Sequence, residues 1–159
     1  MKKYISVIAA ILVVAFSACA KKASKTPSIT YVKMERTACF GRCPAYMVEI
    51  YKNGLIRYTG RQFTEYTGVY ESNIGSKEAT KLLKKFADNR VDTCREAYDN
   101  NIPDAPGLYY GFKINGKDKT IANAPFGPKY LSLLASEIDK HAKPGVGWKK
   151  ISDLTPNNQ

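Results

Sequence analysis

The chain has 159 residues but a single histidine and a single tryptophan. It carries no H-E-x-x-H, no G-x-S-x-G and no glycine-rich phosphate loop. One imidazole leaves little for general acid–base chemistry near neutral pH, so the chain is not expected to be an enzyme, and no cofactor is implied. Acidic residues are also scarce, with 14 Asp and Glu against 25 Lys and Arg and a formal charge of +11. No apolar run approaches the roughly 20 residues that a spanning helix needs. At 44% hydrophobic and 25% charged, the chain is neither wholly disordered nor a multi-span membrane protein. The length allows one ordinary domain. Eleven glycines, eight prolines and eleven tyrosines favour a β-containing fold with many turns.

The N-terminus reads as an address. Lys2 and Lys3 precede the 12-residue stretch ISVIAAILVVAF at 5–16, too short to span a bilayer but suited to an export signal. It ends in Phe16-Ser17-Ala18-Cys19, which resembles the lipobox of bacterial lipoproteins. That resemblance implies removal of residues 1–18 and lipidation of Cys19. The alternative is an ordinary signal peptide cut at Ala18 or Ala20. Several acyl chains on Cys19 would anchor the domain stably without a span. Residues 19–27 then form the lipidated cysteine and a solvated tether. Its Lys21, Lys22 and Lys25 can also touch anionic headgroups, at about 1 kcal/mol each. Without the leader the chain keeps 23 basic and 14 acidic residues, a net +9. Export makes nucleic acid a poor partner. The excess charge reads as solubility and loose attraction to acidic envelope glycans or lipids.

Residues 28–150 are expected to form one α+β domain, with a flexible tail at 151–159. Residues 28–35 alternate as a strand. In residues 45–52, Tyr46, Val48 and Ile50 share one face and Met47, Glu49 and Tyr51 the other. Asn53-Gly54 predicts a type I′ hairpin turn into a strand at 55–59, and 63–71 reads as a further strand with Gly68 as a bulge. The period then changes. Ser76 is placed to cap a helix whose Ala79, Leu82, Leu83, Phe86 and Ala87 form one stripe. Leu108, Tyr110, Phe112 and Ile114 alternate, Asn115-Gly116 turns the chain, and 119–122 returns. Gly127 and Pro128 open a second helix through Leu131, Leu134, Ala135 and Ile138. A hairpin followed by a helix thus occurs twice. The expected fold is an antiparallel sheet of about six strands, with two Asn-Gly hairpins and two helices packed on it. Trp148 is expected to pack back on the domain.

The most specific local feature is Cys39-Phe40-Gly41-Arg42-Cys43-Pro44, with Tyr46 beyond it. The run TACFGRCPAY, a strand, Asn-Gly and then Tyr58-x-Gly60 resemble a domain family of unknown function common in lipoproteins of the Bacteroidetes group. The resemblance extends through Tyr98 and Asp104 to Trp148. It implies an envelope lipoprotein and no known activity or catalytic residue. Acidic residues often follow the lipidated cysteine in surface-displayed members, and CAKKASK has none. The periplasm-facing side of the outer membrane is therefore the expected location.

The cysteines admit several readings. In an oxidising compartment Cys39 and Cys43 would close a disulfide and fix the connection between the first two strands. Alternatively, Cys39, Cys43, Cys94 and His141 make a formal Cys₃His zinc set. Cys-x₃-Cys-Pro also resembles the copper motif of thioredoxin-fold chaperones, although a strand rather than a helix follows here. Arg42 and Lys33 could stabilise a reactive thiolate with His141 as its base. Cys94 pairs with one of the two or is a buried odd thiol.

Asp99, Asn100, Asn101 and Asp104 could ligate calcium, but are also ordinary turn formers, with Tyr98 and Asp104 placed to pin the loop. The tyrosines read mainly as cross-strand packing. The sequence therefore predicts a non-enzymatic, lipid-anchored envelope module for an envelope protein or glycan partner, without a metal site. Its contact loop is expected at Phe40, Gly41, Arg42 and Pro44. The alternatives are a metal or thiol-redox lipoprotein using Cys39 and Cys43, and a small inhibitor of an envelope hydrolase.

Overall fold

Alternation decides the architecture. In the computed structural model, which describes residues 26–100 and 102–154, the strands β1 (Ile29–Arg36), β2 (Ala45–Tyr51), β3 (Leu55–Gln62), β4 (Gly68–Asn73), β5 (Leu108–Ile114), β6 (Lys117–Ile121) and β7 (Lys149–Ser152) form one sheet. The strand order is β6-β5-β1-β2-β3-β4-β7, and every neighbouring pair is antiparallel. The helices α1 (Ser76–Asp88) and α2 (Tyr130–Asp139) pack on one face. The fold is α+β, as the sequence predicts, with one strand more than the expected six.

Registers put Val32, Met34, Val48, Ile50, Ile56, Tyr58, Tyr110 and Phe112 on the helix-covered face. The stripe of α1 lands on them. Phe86 is fully buried, 5.7 Å from the ring of Tyr110 and 5.5 Å from that of Phe112. The buried Tyr110 hydroxyl donates to the Leu131 carbonyl at 2.7 Å, so its polar atom is satisfied beneath α2. Tyr31, Glu49, Arg57 and Glu71 lie on the uncovered face. There Tyr31 donates to Glu49 at 2.6 Å and Arg57 to Glu71 at 2.8 Å, a ladder of opposite charges suited to a solvated sheet surface.

Several local expectations are corrected. The Asn115-Gly116 turn has positive φ at both residues, 50° and 80°, as type I′ requires. The Asn53-Gly54 turn differs. Among the described residues only Gly54 of this pair has positive φ, 98°, and its N–H bonds the Tyr51 carbonyl at 2.9 Å. The loop is a three-residue connection with glycine in the left-handed position. A Cβ on Gly54 would fall 2.8 Å from the Ser76 nitrogen, so the turn is also the seat on which α1 starts. Ser76 lies inside that helix and makes no capping bond; Gly75 is the N-cap. β3 continues to Gln62, and residues 63–67 form a loop rather than the start of β4. Phe63 sits at φ 54° in that loop, and the Tyr66 carbonyl closes over Gly60, where a Cβ would lie only 1.8 Å away. The second helix starts at Tyr130, later than Pro128, whose carbonyl accepts the Leu131 N–H.

The extra strand falls where the sequence suggested a tail, and the expected boundary at 150 lies inside it. All four residues of β7 are exposed, so it lacks the buried positions that every other strand has. Its anchor is Lys150, whose Nζ stands 6.0 Å from the centre of the Tyr70 ring. Trp148 is partly buried against the core, as expected.

The helices are joined by charge as well as by packing. Glu137 of α2 is held at a pKa of about 2 because the Lys140 and Lys85 ammonium groups hydrogen-bond to it. Its carboxylate therefore favours the folded state above its ordinary pKa of 4.5, and this contribution fades as pH falls towards 2. Between those pH values, thermal unfolding of Glu137→Gln is expected to lose less stability than the parent chain. A second expectation concerns the aromatic centre. Phe86→Ala should cost about 3–5 kcal/mol in urea unfolding through the cavity it leaves.

Candidate functional site

At one end of the sheet the β1–β2 connection meets the segment leading into β5. The Thr37 N–H donates to the Gly107 carbonyl at 3.1 Å, and the Gly107 N–H to the Thr37 hydroxyl at 2.9 Å. Beyond this clasp Cys39 and Cys43 are joined in a disulfide with Cα atoms 5.5 Å apart. Gly41, at φ 149°, lets the chain reverse within so small a ring, and its N–H reaches the Cys39 carbonyl at 2.8 Å. Phe40 is left at the tip, 92% exposed, with only its backbone tied back to the Asp104 carbonyl. Arg42 and Pro44 are exposed beside it.

Two clefts flank this loop and share Pro44 as a wall. The larger, about 570 Å³, is bounded by Arg36, Cys43, Ile102, Pro106 and Phe126 and is mainly apolar. That volume falls within the range of small-ligand and side-chain pockets. The smaller, about 330 Å³, is bordered by Tyr46, Phe63, Tyr66, Asp139 and Lys143. A three-residue group stands at their junction. Arg36 donates to one Asp139 carboxylate oxygen at 2.7 Å, and the Tyr46 hydroxyl donates to the other at 2.6 Å. Burial, followed by the hydrogen bond to Asp139, pushes the Tyr46 phenol well above its usual pKa, so it stays protonated as a donor. Both oxygens of Asp139 are therefore engaged, and the group serves as a rigid strut between β1, β2 and the end of α2.

The structure brings Phe40, Gly41, Arg42 and Pro44 together around the Cys39–Cys43 disulfide. No cluster of potential metal ligands occurs among the described residues. Cys94 is a buried free thiol, 3.1 Å from the Tyr130 hydroxyl. His141 lies 3.9 Å from Glu78. Tyr98 does not pin Asp104. Its ring packs on Gly127, its carbonyl accepts from Asn123, and the Asp104 backbone carbonyl receives Phe40 instead. Cys19 and Asn101 lie outside the described residues, and no described helix is long and apolar enough to cross a membrane.

Sequence reasoning missed the strut and both clefts. Arg36 and Asp139 are 103 residues apart, and Tyr46 and Asp139 are 93 apart, so no local pattern could pair them. Phe63 carried a weak signal at most, as an aromatic beside the polar run TE.

The chain belongs to the family described as a domain of unknown function, DUF6438, which it matches over residues 30–142. That span holds nearly all of β1, then β2 to β6, both helices, the disulfide loop and the strut, whereas β7 lies beyond it. No curated protein and no solved structure matches the chain.

The disulfide should act locally. Replacing both Cys39 and Cys43 with Ser is expected to lower stability by about 2 kcal/mol. Amide exchange should accelerate at Phe40 and Gly41 while the core strands keep their protection, as read by hydrogen–deuterium exchange.

Proposed function

We propose that the protein is a lipid-anchored, non-catalytic binding module of the cell envelope, facing the periplasm from the outer membrane, and that it grips a partner with the disulfide end of its sheet. The observation that carries this reading is Phe40. A phenylalanine 92% exposed is costly to leave in water, and here it is held in one place by a disulfide and a backbone bond. Exposed aromatics on rigid turns lose little entropy on docking, and they supply most of the energy of small interfaces. The adjoining apolar cleft, with Ile102 57% exposed at its edge, continues the same patch.

Anchoring is supported by the leader and by Phe16-Ser17-Ala18-Cys19. The family, of unknown function itself, adds no activity. An envelope protein with a concave acceptor for an aromatic ring is the partner this end fits best.

Intact mass of the membrane-extracted protein should show loss of residues 1–18, acyl chains on Cys19 and two hydrogens missing for one disulfide. For the contact end, a photo-crosslinking amino acid at Phe40 is expected to give a discrete adduct in intact cells. The same probe at the exposed Leu133 of α2 should not. Replacing both Phe40 and Arg42 with Ala should leave folding intact and abolish co-purification of the crosslinked protein. Equal adducts from the two positions, or undiminished co-purification, would refute the assignment.

A further inference from the structure

The chain enters the fold at the end of the sheet opposite Phe40. The Ser28 N–H donates to the Asn115 side chain at 2.9 Å, and Lys52 bonds the Thr30 carbonyl at 3.0 Å. Thr26 and Pro27 lie in a shallow groove with Lys52, Thr80 and Lys84. The first turn of α1 abuts the same end, since Ile74 N–H bonds the Gly54 carbonyl at 2.9 Å. Both Asn-Gly turns therefore sit at the entry end, and the disulfide loop sits at the other. β1 separates them, and its eight residues span about 26 Å.

The two ends differ in charge. The entry end carries exposed Lys52, Lys77, Lys84 and Lys117. Of these only Lys84 has an ion pair among the described residues, with Asp88 at 2.6 Å. At the disulfide end Arg36 is paired with Asp139 and Arg61 with Glu35, which leaves Arg42 and Lys143 as its exposed cations without an ion pair among the described residues; at the entry end Glu78 and Asp118 are engaged by Lys81 and Lys113, which leaves Lys52, Lys77 and Lys117.

We infer that the entry end is a docking surface for an anionic lipid bilayer. Lys52, Lys77 and Lys117 meet the headgroups, so that the domain stands upright and holds Phe40 away from the anchoring membrane. The inference rests on the lipid-anchored reading above. The seven residue steps from Cys19 to Thr26 reach at most about 25 Å. An acylated Cys19 therefore lets this end reach the headgroup plane, where each lysine within about a Debye length of the surface contributes about fivefold to partition. Without the lysines the tether alone would let the domain tumble.

The single tryptophan supplies the probe. Trp148 immediately precedes β7, whose Lys149 pairs with Glu71, and the neighbouring Gly147 carbonyl accepts from Ser72. Trp148 therefore sits at the entry end of β4. The mature lipoprotein, its acylation confirmed by intact mass, is reconstituted into 3:1 phosphatidylethanolamine–phosphatidylglycerol vesicles containing a dansyl-labelled headgroup. Energy transfer from Trp148 to dansyl is expected to be strong. It should fall to roughly half in phosphatidylcholine vesicles, at high salt, or when Lys52, Lys77 and Lys117 are all replaced by Glu. A triple Gln variant should show a smaller fall, and Gln62→Glu at the far end should show none. Circular dichroism of each variant reports folding independently. Transfer from the acylated protein that ignores lipid charge and the lysine substitutions would overturn the inference and leave the anchor standing. Absence of acyl mass would overturn the anchor, and the inference with it.

Discussion

The insertion of β1 between β2 and β5 is the constraint on which everything else depends. Its pairing with β2 is a near neighbour's contact. Its pairing with β5 joins Met34 to Tyr110 and Arg36 to Leu108, across more than seventy residues of chain. That second ladder joins the β1–β4 meander and the β5–β6 hairpin into one sheet. It also brings Tyr110 and Phe112 under Phe86, so the core spans that long-range pairing. Folding rates of such topologies are governed by the non-local step rather than by helix or hairpin formation.

The same ladder makes the candidate site. Because β1 and β5 are antiparallel, the exit of one and the entry of the other lie side by side, and Thr37 and Gly107 clasp there. The disulfide then restricts a loop whose base is already fixed, so Phe40 has a defined position without any packing of its own side chain. Asp139 ties the arrangement to the helix layer through Arg36 and Tyr46. These half-buried charges are paired and hydrogen-bonded, which limits the desolvation penalty that would otherwise oppose them.

Periodicity made much of this fold legible. The alternation of Tyr46, Val48 and Ile50 and of Leu108, Tyr110, Phe112 and Ile114 assigned faces correctly, and the stripe of Ala79, Leu82, Leu83, Phe86 and Ala87 placed α1. The Cys39–Cys43 pair read as a disulfide for a reason of chemistry, and it is one. The failures have physical causes. Asn53-Gly54 carried a two-residue turn signal, but the turn must also seat Ser76, and a three-residue loop does so. β7 has no buried face and so no pattern. The clefts and the strut arise from residues distant in sequence, about which local propensity says nothing. The disulfide loop was readable as a loop, but its neighbours were not.

The two outer strands have a bearing on colloidal behaviour. β6 and β7 leave backbone donors and acceptors at the rims of an otherwise continuous sheet, which is where foreign strands add and fibrils begin. Here the rims read KDKTI and KKIS, short and lysine-bearing, and the end of β6 is further covered by the bridge from Ala97 to Ala122. Two copies meeting rim to rim would bring lysines against lysines, a repulsion that opposes strand addition.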